Sequence, residues 1–254
     1  MINIKIIIAN WISSIQIKYS LLILFALSTN FLYSQNQSEI SNSNVEITKS
    51  NDRIYGLDPL LYNGKVYTSF YPISVKGNQY FIGSDYVKGE ATIRGVRYQN
   101  LDLNYDILKQ ELLLKYLNSN NVINIITISK AWLEGFSIGN ARFILMNSSN
   151  SPERIYQELG NDSLHILYFF KKDLELENVS TKSNFKFVGT KEMYVLMDKT
   201  LMRFKNNRSF MKLFPKEKQI NVKKYLRQNR IKVNKASDQA MEELINNCSK
   251  SLAK

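Results

Sequence analysis

The central part of the chain alternates short apolar segments with polar turn residues. The segments are rich in Tyr, Phe, Ile and Val, and Asn, Gly, Asp or Ser separates one from the next. Short runs of β-branched and aromatic residues at this spacing favour strands. We therefore predict a mainly β (α+β) fold, in which an antiparallel sheet forms a sandwich or a partly closed barrel. The predicted strands span residues 90–106, 112–117, 122–128, 136–146, 164–170, 185–188 and 193–197.

Two glycines mark predicted turns. Asn63 and Gly64 stand between the apolar pairs 60–61 and 66–67, a pattern typical of a two-residue hairpin, because both central positions of that turn need positive φ. Gly95 interrupts the alternating run 90–106 and predicts a turn or a bulge there.

The periodicity changes after residue 200, where the pattern indicates two or three helices. In 237–254 the apolar residues recur at helical spacing, and the hydroxyl of Ser237 can cap the first turn. A second helix is predicted over 217–230, and a short first turn precedes Pro215. The apolar residues that should face the sheet are Phe210, Leu213, Phe214, Val222, Tyr225, Leu226, Met241, Leu244, Ile245, Cys248 and Leu252.

The beginning of the chain has the order of a secretion signal. Lys18 precedes an apolar stretch, 19–33, and Ser34 is the expected cleavage site. A second apolar run, 6–17, precedes Lys18, so a start codon placed too early and an uncleaved anchor remain alternatives. The predicted organisation is a signal peptide at 1–34, a flexible polar lead-in at 35–52, a β domain at 53–200 and a basic helical tail at 201–254, packed on the β domain. The protein is expected to be periplasmic, associated with the outer membrane or extracellular.

The formal net charge of +12 is concentrated in the tail. Residues 35–198 hold 17 basic and 18 acidic side chains, whereas 199–254 hold 15 basic and 4 acidic ones. This asymmetry favours an acidic partner such as an anionic envelope component or an acidic protein surface, although a solvated basic helix face has the same pattern. Nucleic acid is a weaker expectation, because an exported protein rarely meets it. The candidate surface for an anionic partner comprises Lys223, Lys224, Arg227, Arg230, Lys232 and Lys235.

Three longer stretches of the sequence are distinctive: GSDYVKGEATIRGVRYQNLDLNYDILKQELLLKY, RIYQELGNDSLHILYFFKK and FPKEKQINVKKYLRQNRIKV. These stretches resemble a broad set of exported Bacteroidota proteins of unassigned function, and Leu-Tyr-Ser-Gln at the leader's end resembles Bacteroidota signals. The resemblance covers most of the chain from about residue 80 onward. It implies export and a sheet followed by a Lys-rich helical end, and it implies no catalytic residues.

A hydrolase motif is present, but its surroundings do not suit it. Residues 135–139 match Gly-x-Ser-x-Gly around Ser137, and Asp162 and His165 follow in the chain order of a hydrolase triad. The motif requires a helix after the serine, whereas 140–146 is predicted to be a strand. We therefore interpret Ser137 as a strand or turn residue and retain a secreted hydrolase of esters or glycans as an alternative.

The remaining chemistry-bearing residues predict no metal or cofactor site. His165 is the only histidine and Cys248 the only cysteine, so a typical zinc site lacks ligands and an intramolecular disulfide is impossible. Cys248 lies on the apolar stripe of the last predicted helix and is interpreted as a buried, inert thiol. Asp102 and Asp106 have the spacing of a strand or turn. Glu153 and Glu158 are placed near a helical turn. No phosphate-binding or dinucleotide fingerprint occurs.

Aromatic residues crowd the first half of the predicted β domain. A sheet face of this composition can bind glycans or peptides by stacking, but such residues more often fill a β core. The group comprises Tyr67, Phe70, Tyr71, Tyr80, Phe81, Tyr86, Tyr98 and Tyr105. The sequence thus favours an exported, non-enzymatic cell-envelope protein that acts by binding or structural association. The alternatives are the hydrolase and a protein that binds nucleic acid or an anionic surface through its tail.

Overall fold

The computed structural model describes residues 57–71, 75–148, 151–161, 164–179, 182–197 and 200–252. The chain divides into two compact units, Met1–Asp58 and Pro59–Lys254, and all elements below belong to the second. The predicted signal peptide and the lead-in at 35–52 lie outside the described residues.

The described residues form eleven strands and four helices. In chain order they are α1 (Pro59–Tyr62), β1 (Lys65–Val66), β2 (Val87–Ile93), β3 (Val96–Asp106), β4 (Glu111–Leu117), β5 (Ile123–Thr127), β6 (Leu133–Ile138), β7 (Ala141–Ser148), β8 (Ser151–Asn161), β9 (Leu164–Val179), β10 (Lys182–Met197), β11 (Thr200–Phe204), α2 (Asn207–Met211), α3 (Lys216–Gln228) and α4 (Asp238–Leu252).

All eleven strands belong to one antiparallel sheet that does not close. The strand order is β1-β5-β4-β3-β2-β6-β7-β8-β9-β10-β11, so most neighbours are joined by hairpins. The predicted fold class, an antiparallel sheet followed by C-terminal helices, is confirmed. The last strand, β11, lies at the start of the segment assigned to the tail, and the helices begin at Asn207.

The first half of the sheet is strongly curved. Tyr105 of β3 and Phe143 of β7 have ring centroids 5.3 Å apart, although β2 and β6 lie between their strands. In a flat sheet three strand spacings would separate them by about 14 Å. The curvature brings both rings into one cluster with Phe136, whose ring stacks on Phe143 at 4.7 Å.

Two large clusters of buried residues result, and they are closed in different ways. The curled core lies inside the curved strands and comprises Leu61, Ala91, Ile93, Leu103, Tyr105, Ile107, Leu112, Leu114, Ile126, Ile128, Leu133, Phe136, Ile138, Phe143 and Ile155. The helix-covered core lies between β8–β11 and the C-terminal helices. It comprises Leu159, Leu164, Ile166, Tyr168, Met193, Val195, Phe204, Phe210, Phe214, Val222, Leu226, Ile231, Val233, Met241, Leu244, Ile245 and Cys248. The half-buried Phe170 packs against both cores.

A crossing segment, residues 75–82, joins strands that are distant in the sheet order. It forms a bridge to β10 through Lys76 and Lys186 and a bridge to β3 through Tyr80 and Asp106. Beside it, the fully buried Asp106 accepts hydrogen bonds from the hydroxyl of Tyr67 (2.6 Å) and the backbone N–H of Lys109 (2.9 Å).

One of the two turn predictions is confirmed and the other is wrong. Arg94 and Gly95 have φ values of 49° and 78° and connect β2 to β3, as a two-residue hairpin requires. Asn63 and Gly64, by contrast, connect the short helix α1 to β1, and β1 pairs with the distant strand β5. Gly64 is needed there for close approach, since a Cβ would lie 2.1 Å from the carbonyl oxygen of Thr127.

Strand boundaries differ from the prediction where turns lack strong signals. Residues 136–146 contain the end of β6 and most of β7, with Gly139 at φ 57° between them. The segments 185–188 and 193–197 are parts of one long strand, β10. Glu153 and Glu158 lie on β8 and not near a helical turn, because that stretch pairs with both β7 and β9.

The two longer predicted helices are confirmed within two residues at their described ends, whereas the short turn expected directly before Pro215 is the helix α2, which ends at Met211. The N-terminus of α4 is capped by Ser237, whose side-chain oxygen accepts a hydrogen bond from the backbone N–H of Ala240 (3.2 Å). In α3, Val222 and Leu226 are buried and Tyr225 is half-buried, as their spacing predicts.

Candidate functional site

Side-chain hydrogen bonds hold the C-terminal helices and their connection to the sheet. Asn207 of α2 donates to the carbonyl oxygen of Ile231 (2.6 Å) and accepts from the N–H of Val233 (2.8 Å). At the start of α4, Asp238 accepts a hydrogen bond of 2.6 Å from the buried amide of Gln157 on β8. Because Ile231 and Val233 are buried, the residues between and beside them must face solvent.

The six predicted basic residues form an exposed surface on this layer, which we call the basic surface. Lys223, Lys224 and Arg227 lie on the outer side of α3, and Arg230, Lys232 and Lys235 follow in the connection to α4. All six are exposed, and none of their side chains forms an ion pair or hydrogen bond with another described residue.

Several cations on the sheet, by contrast, are paired with carboxylates. Lys88 pairs with Asp102 at 3.0 Å, and Arg142 pairs with Glu158 at 3.3 Å. Within α3 and the connection to α4 the only carboxylate is Glu217. The positive potential of the basic surface is therefore not neutralised locally, which makes it attractive to anions.

An exposed apolar residue lies among these cations. Ile220 of α3 is 71% exposed. Positions three and four residues apart share a helix face, so Ile220 neighbours Lys216, Lys223 and Lys224. This combination suits a partner that offers both negative charge and an apolar surface.

The hydrolase motif does not assemble a triad. Ser137 lies on β6 and is followed by the tight turn into β7, so the helix that a nucleophile elbow requires is replaced by a strand. His165 lies on β9, and the strands β7 and β8 separate it from β6. Asp162 lies outside the described residues. His165 instead places its Nδ1 2.9 Å from the Oε1 of Glu158.

The surface around Ser137 is a shallow, charged groove of about 500 Å³. Its carboxylate Glu90 accepts a hydrogen bond from the Nε of Arg97 (3.0 Å) and another from the side chain of Gln99 (3.1 Å). The neighbouring Arg142 is paired with Glu158 on β8. These charges already satisfy one another, so the groove does not require a ligand.

The other candidate residues have structural surroundings. Cys248 is 1% exposed, and burial raises the pKa of its thiol to about 12, so the prediction of a buried cysteine is confirmed. It is a free cysteine, and the chain has no second one with which to form an intramolecular disulfide. In the described part of the chain, no three His, Cys, Asp or Glu residues meet in a way that could hold a metal ion.

Most of the N-terminal aromatic residues contribute to packing. Tyr105 is fully buried, and Phe81 of the crossing segment contacts Phe143 and Phe170 with ring centroids 5.0 and 5.1 Å away. Tyr67 uses its hydroxyl to bind Asp106, while Phe70 is 91% exposed. The core interpretation is therefore confirmed for Tyr105, and the half-buried Phe81 and Tyr98 pack against the curled core.

Comparison with known proteins returns no relative. No protein-family model, curated protein or solved structure gives a significant match to the chain. Among the described helices, none combines the length and the hydropathy needed to span a bilayer.

Proposed function

We propose that the protein is an exported, non-enzymatic component of the cell envelope that binds an anionic partner through its basic surface. The supporting observation is the exposure of six cations that lack carboxylate partners in the described part of the chain. The leader-like sequence at 1–34 supports export, and export makes anionic lipids and anionic envelope polymers the nearest partners.

The energetics of the surface suit reversible docking. A lysine or arginine near an anionic membrane surface contributes about 1 kcal/mol, and the attraction falls off within a Debye length. Six such residues give weak, salt-sensitive binding without any enclosed pocket. Ile220 adds a small apolar contact that does not depend on salt.

Anchoring of the helices makes this surface rigid enough to act as a unit. Val222 and Leu226 are buried in the helix-covered core, and Asn207 fixes the connection that carries Arg230 and Lys232. The cations are therefore held on one layer instead of being spread along a flexible tail.

Vesicle sedimentation tests the proposal. The purified protein should bind vesicles of equal parts phosphatidylglycerol and phosphatidylcholine, should release them as NaCl rises, and should ignore pure phosphatidylcholine. The variant Lys223→Gln/Lys224→Gln/Arg227→Gln should lose at least about tenfold in affinity, because three of the six attractions are removed.

The matched control changes the same number of charges elsewhere. Lys65→Gln/Lys88→Gln/Lys130→Gln alters three lysines of the sheet domain and should retain most of the binding. Equal losses in the two triple variants would contradict a localised site. Tight binding to duplex DNA with no vesicle binding would favour the nucleic-acid alternative.

The compartment needs its own test. Cell fractionation followed by sequencing of the mature N-terminus should find the protein outside the cytosol, beginning near Gln35. An intact chain that begins at Met1 and fractionates with cytosolic proteins would contradict export.

A further inference from the structure

Besides the two cores, the sheet carries a third, smaller apolar cluster on the face opposite the helices. Side chains alternate between the two faces of a strand, so the neighbours of the helix-covered core point to the other side. The buried members on this side are Tyr156, Leu167, Phe169 and Leu201. Ile144, Met146, Tyr194 and Leu196 pack against them.

An open groove of about 570 Å³ lies over this cluster. This volume is in the range of small-molecule sites, which combine an apolar floor with a few polar groups. Phe169, Tyr194 and Leu201 supply the floor. The complete lining is Ser151, Pro152, Arg154, Phe169, Lys171, Glu192, Tyr194, Leu201 and Arg203.

All charged side chains of the groove but one have a charged partner among the described residues. Glu192 accepts hydrogen bonds from the hydroxyl of Tyr194 (2.6 Å) and from Arg203 (2.9 Å). Lys171 pairs with Asp173 at 2.9 Å. These contacts neutralise the single carboxylate of the lining, and they leave the groove with an excess of positive charge.

Arg154 is the exception. Its guanidinium carbon lies 4.6 Å from the ring centroid of Phe169, a cation–π contact, and the side chain forms no ion pair or hydrogen bond with another described residue. The residue is half-buried. A guanidinium has five N–H donors in a planar fork that matches a carboxylate, and stacking on an aromatic ring holds that fork in place without using the donors.

We propose that this groove binds a small amphiphilic carboxylate, with the carboxylate on the guanidinium of Arg154 and the apolar body against Phe169, Tyr194 and Leu201. The excess of cations in the lining disfavours cationic ligands, and the apolar floor favours a hydrocarbon chain or ring over a free inorganic anion. This site is separate from the basic surface, since it lies on the opposite face of the sheet.

The test is a fluorescence titration of the full chain with dansylated undecanoic acid, followed by displacement with dodecanoate or with dodecan-1-ol. The probe should bind saturably, and dodecanoate should displace it at least about tenfold more effectively than the alcohol, because only the acid can pair with Arg154. Equal displacement by acid and alcohol would reduce the site to a non-specific apolar patch and overturn the proposal.

Variants on the same sheet face locate the site. Arg154→Gln should weaken dodecanoate at least about tenfold and leave dodecan-1-ol nearly unchanged. Arg142→Gln, which alters an arginine paired with Glu158 outside the groove, should bind as the wild type does. Equal effects of the two substitutions would overturn the proposal, as would absence of saturable binding.

Two further variants serve as a fallback for Arg154→Gln and as a control for the basic surface. If Arg154→Gln fails to fold, Arg154→Lys keeps the charge but loses the planar fork, and it should still weaken dodecanoate more than the alcohol. The variant Lys223→Gln/Lys224→Gln/Arg227→Gln should bind the probe normally. Loss of probe binding in that variant would mean that the fatty acid binds the basic surface and would overturn the groove assignment.

Discussion

The curled core and the helix-covered core bury the same sheet by different means. In the curled core, curvature brings Tyr105, Phe136 and Phe143 together from three different strands, so the sheet largely covers itself. In the helix-covered core, β8–β11 need a second layer, and α2, α3 and α4 provide it. The candidate functional surface belongs to the second arrangement, since the six cations lie on the outer side of the helical layer.

The two cores are nevertheless linked by specific contacts. The hydroxyl of Tyr105 donates to the side-chain oxygen of Gln110 (2.7 Å), and the amide of Gln110 donates to the carbonyl oxygen of Phe170 (2.9 Å). Phe170 packs against both clusters. We therefore expect the described sheet and helices to unfold in a single urea transition, while the more weakened core opens locally first in hydrogen exchange.

The largest expected effect follows from removing the ring at the centre of the curled core. Phe143 is 1% exposed and contacts Phe81, Tyr105 and Phe136. Phe143→Ala should lower the free energy of unfolding by about 3–5 kcal/mol, because the rings held there by curvature cannot refill the cavity. Urea denaturation measures this change.

Phe210 is the matching buried ring of the helix-covered core. Phe210→Ala removes a fully buried ring that contacts Phe204 and Phe214. Its loss should be similar in size, but hydrogen exchange should show the first loss of protection in α2–α4, whereas Phe143→Ala should first expose β2–β7. The same pattern of exchange in both variants would contradict two separately closed cores.

The hydrogen bond between Tyr67 and Asp106, beside the crossing segment, is expected to contribute less. Tyr67→Phe removes the hydroxyl that donates to the buried carboxylate of Asp106 at 2.6 Å. Unfolding free energy should fall by about 1.5–3 kcal/mol, the usual range for a hydrogen bond to a charged group. Tyr225→Phe is the control, since its hydroxyl forms no hydrogen bond with the described residues and its loss should leave the urea midpoint unchanged.

Features that depend on local sequence could be predicted, while those that depend on distant contacts could not. The β2–β3 turn at Gly95 and the cap at Ser237 follow from the intrinsic preferences of neighbouring residues. Asn63 and Gly64 have the same local signal as a hairpin, yet the pairing of β1 with β5 decides their conformation. Sequence spacing does not reveal a partner about 60 residues away.

The same distinction applies to the candidate sites. The exposure of the basic surface could be predicted because its cations are close in sequence. The apolar residues that turn the other side of α3 toward the core recur at helical spacing. The groove could not, because Arg154, Phe169 and Leu201 come from three strands and meet only when β8–β11 are in register. The only sequence feature that bears on the groove is the continuous apolar run 166–169. That run indicates that β9 is buried on both faces, but it does not identify a groove.

A smaller effect is expected at the start of α4. Ser237→Ala removes the oxygen that accepts a hydrogen bond from the N–H of Ala240 and should lower unfolding free energy by about 1 kcal/mol. Ser119→Ala, in the exposed β4–β5 turn, is the control and should have no measurable effect. If both serines behave alike in urea denaturation, the cap does not stabilise the helical layer.

The smallest effect should come from an ion cluster outside both cores. The carboxylate of Glu177 lies 2.8 Å from the Nζ of Lys76 and 3.3 Å from the Nζ of Lys186, and hydrogen bonds from these lysines lower its pKa. A lowered pKa means that its contribution to stability is present above the ordinary glutamate pKa and is lost as the pH falls through the folded-state pKa. Since the cluster is solvent-exposed, salt should screen most of that contribution.

Glu177→Gln tests whether the carboxylate stabilises the protein only while it is charged. At neutral pH and low salt the variant should have a slightly lower urea midpoint than the wild type, by less than Ser237→Ala produces. The difference should vanish at a pH well below the lowered folded-state pKa of Glu177, because the wild-type carboxyl is then protonated and as neutral as the glutamine amide. A loss as large as that of Tyr67→Phe, or one that persists at low pH, would mean that Glu177 stabilises the crossing segment by packing instead of charge.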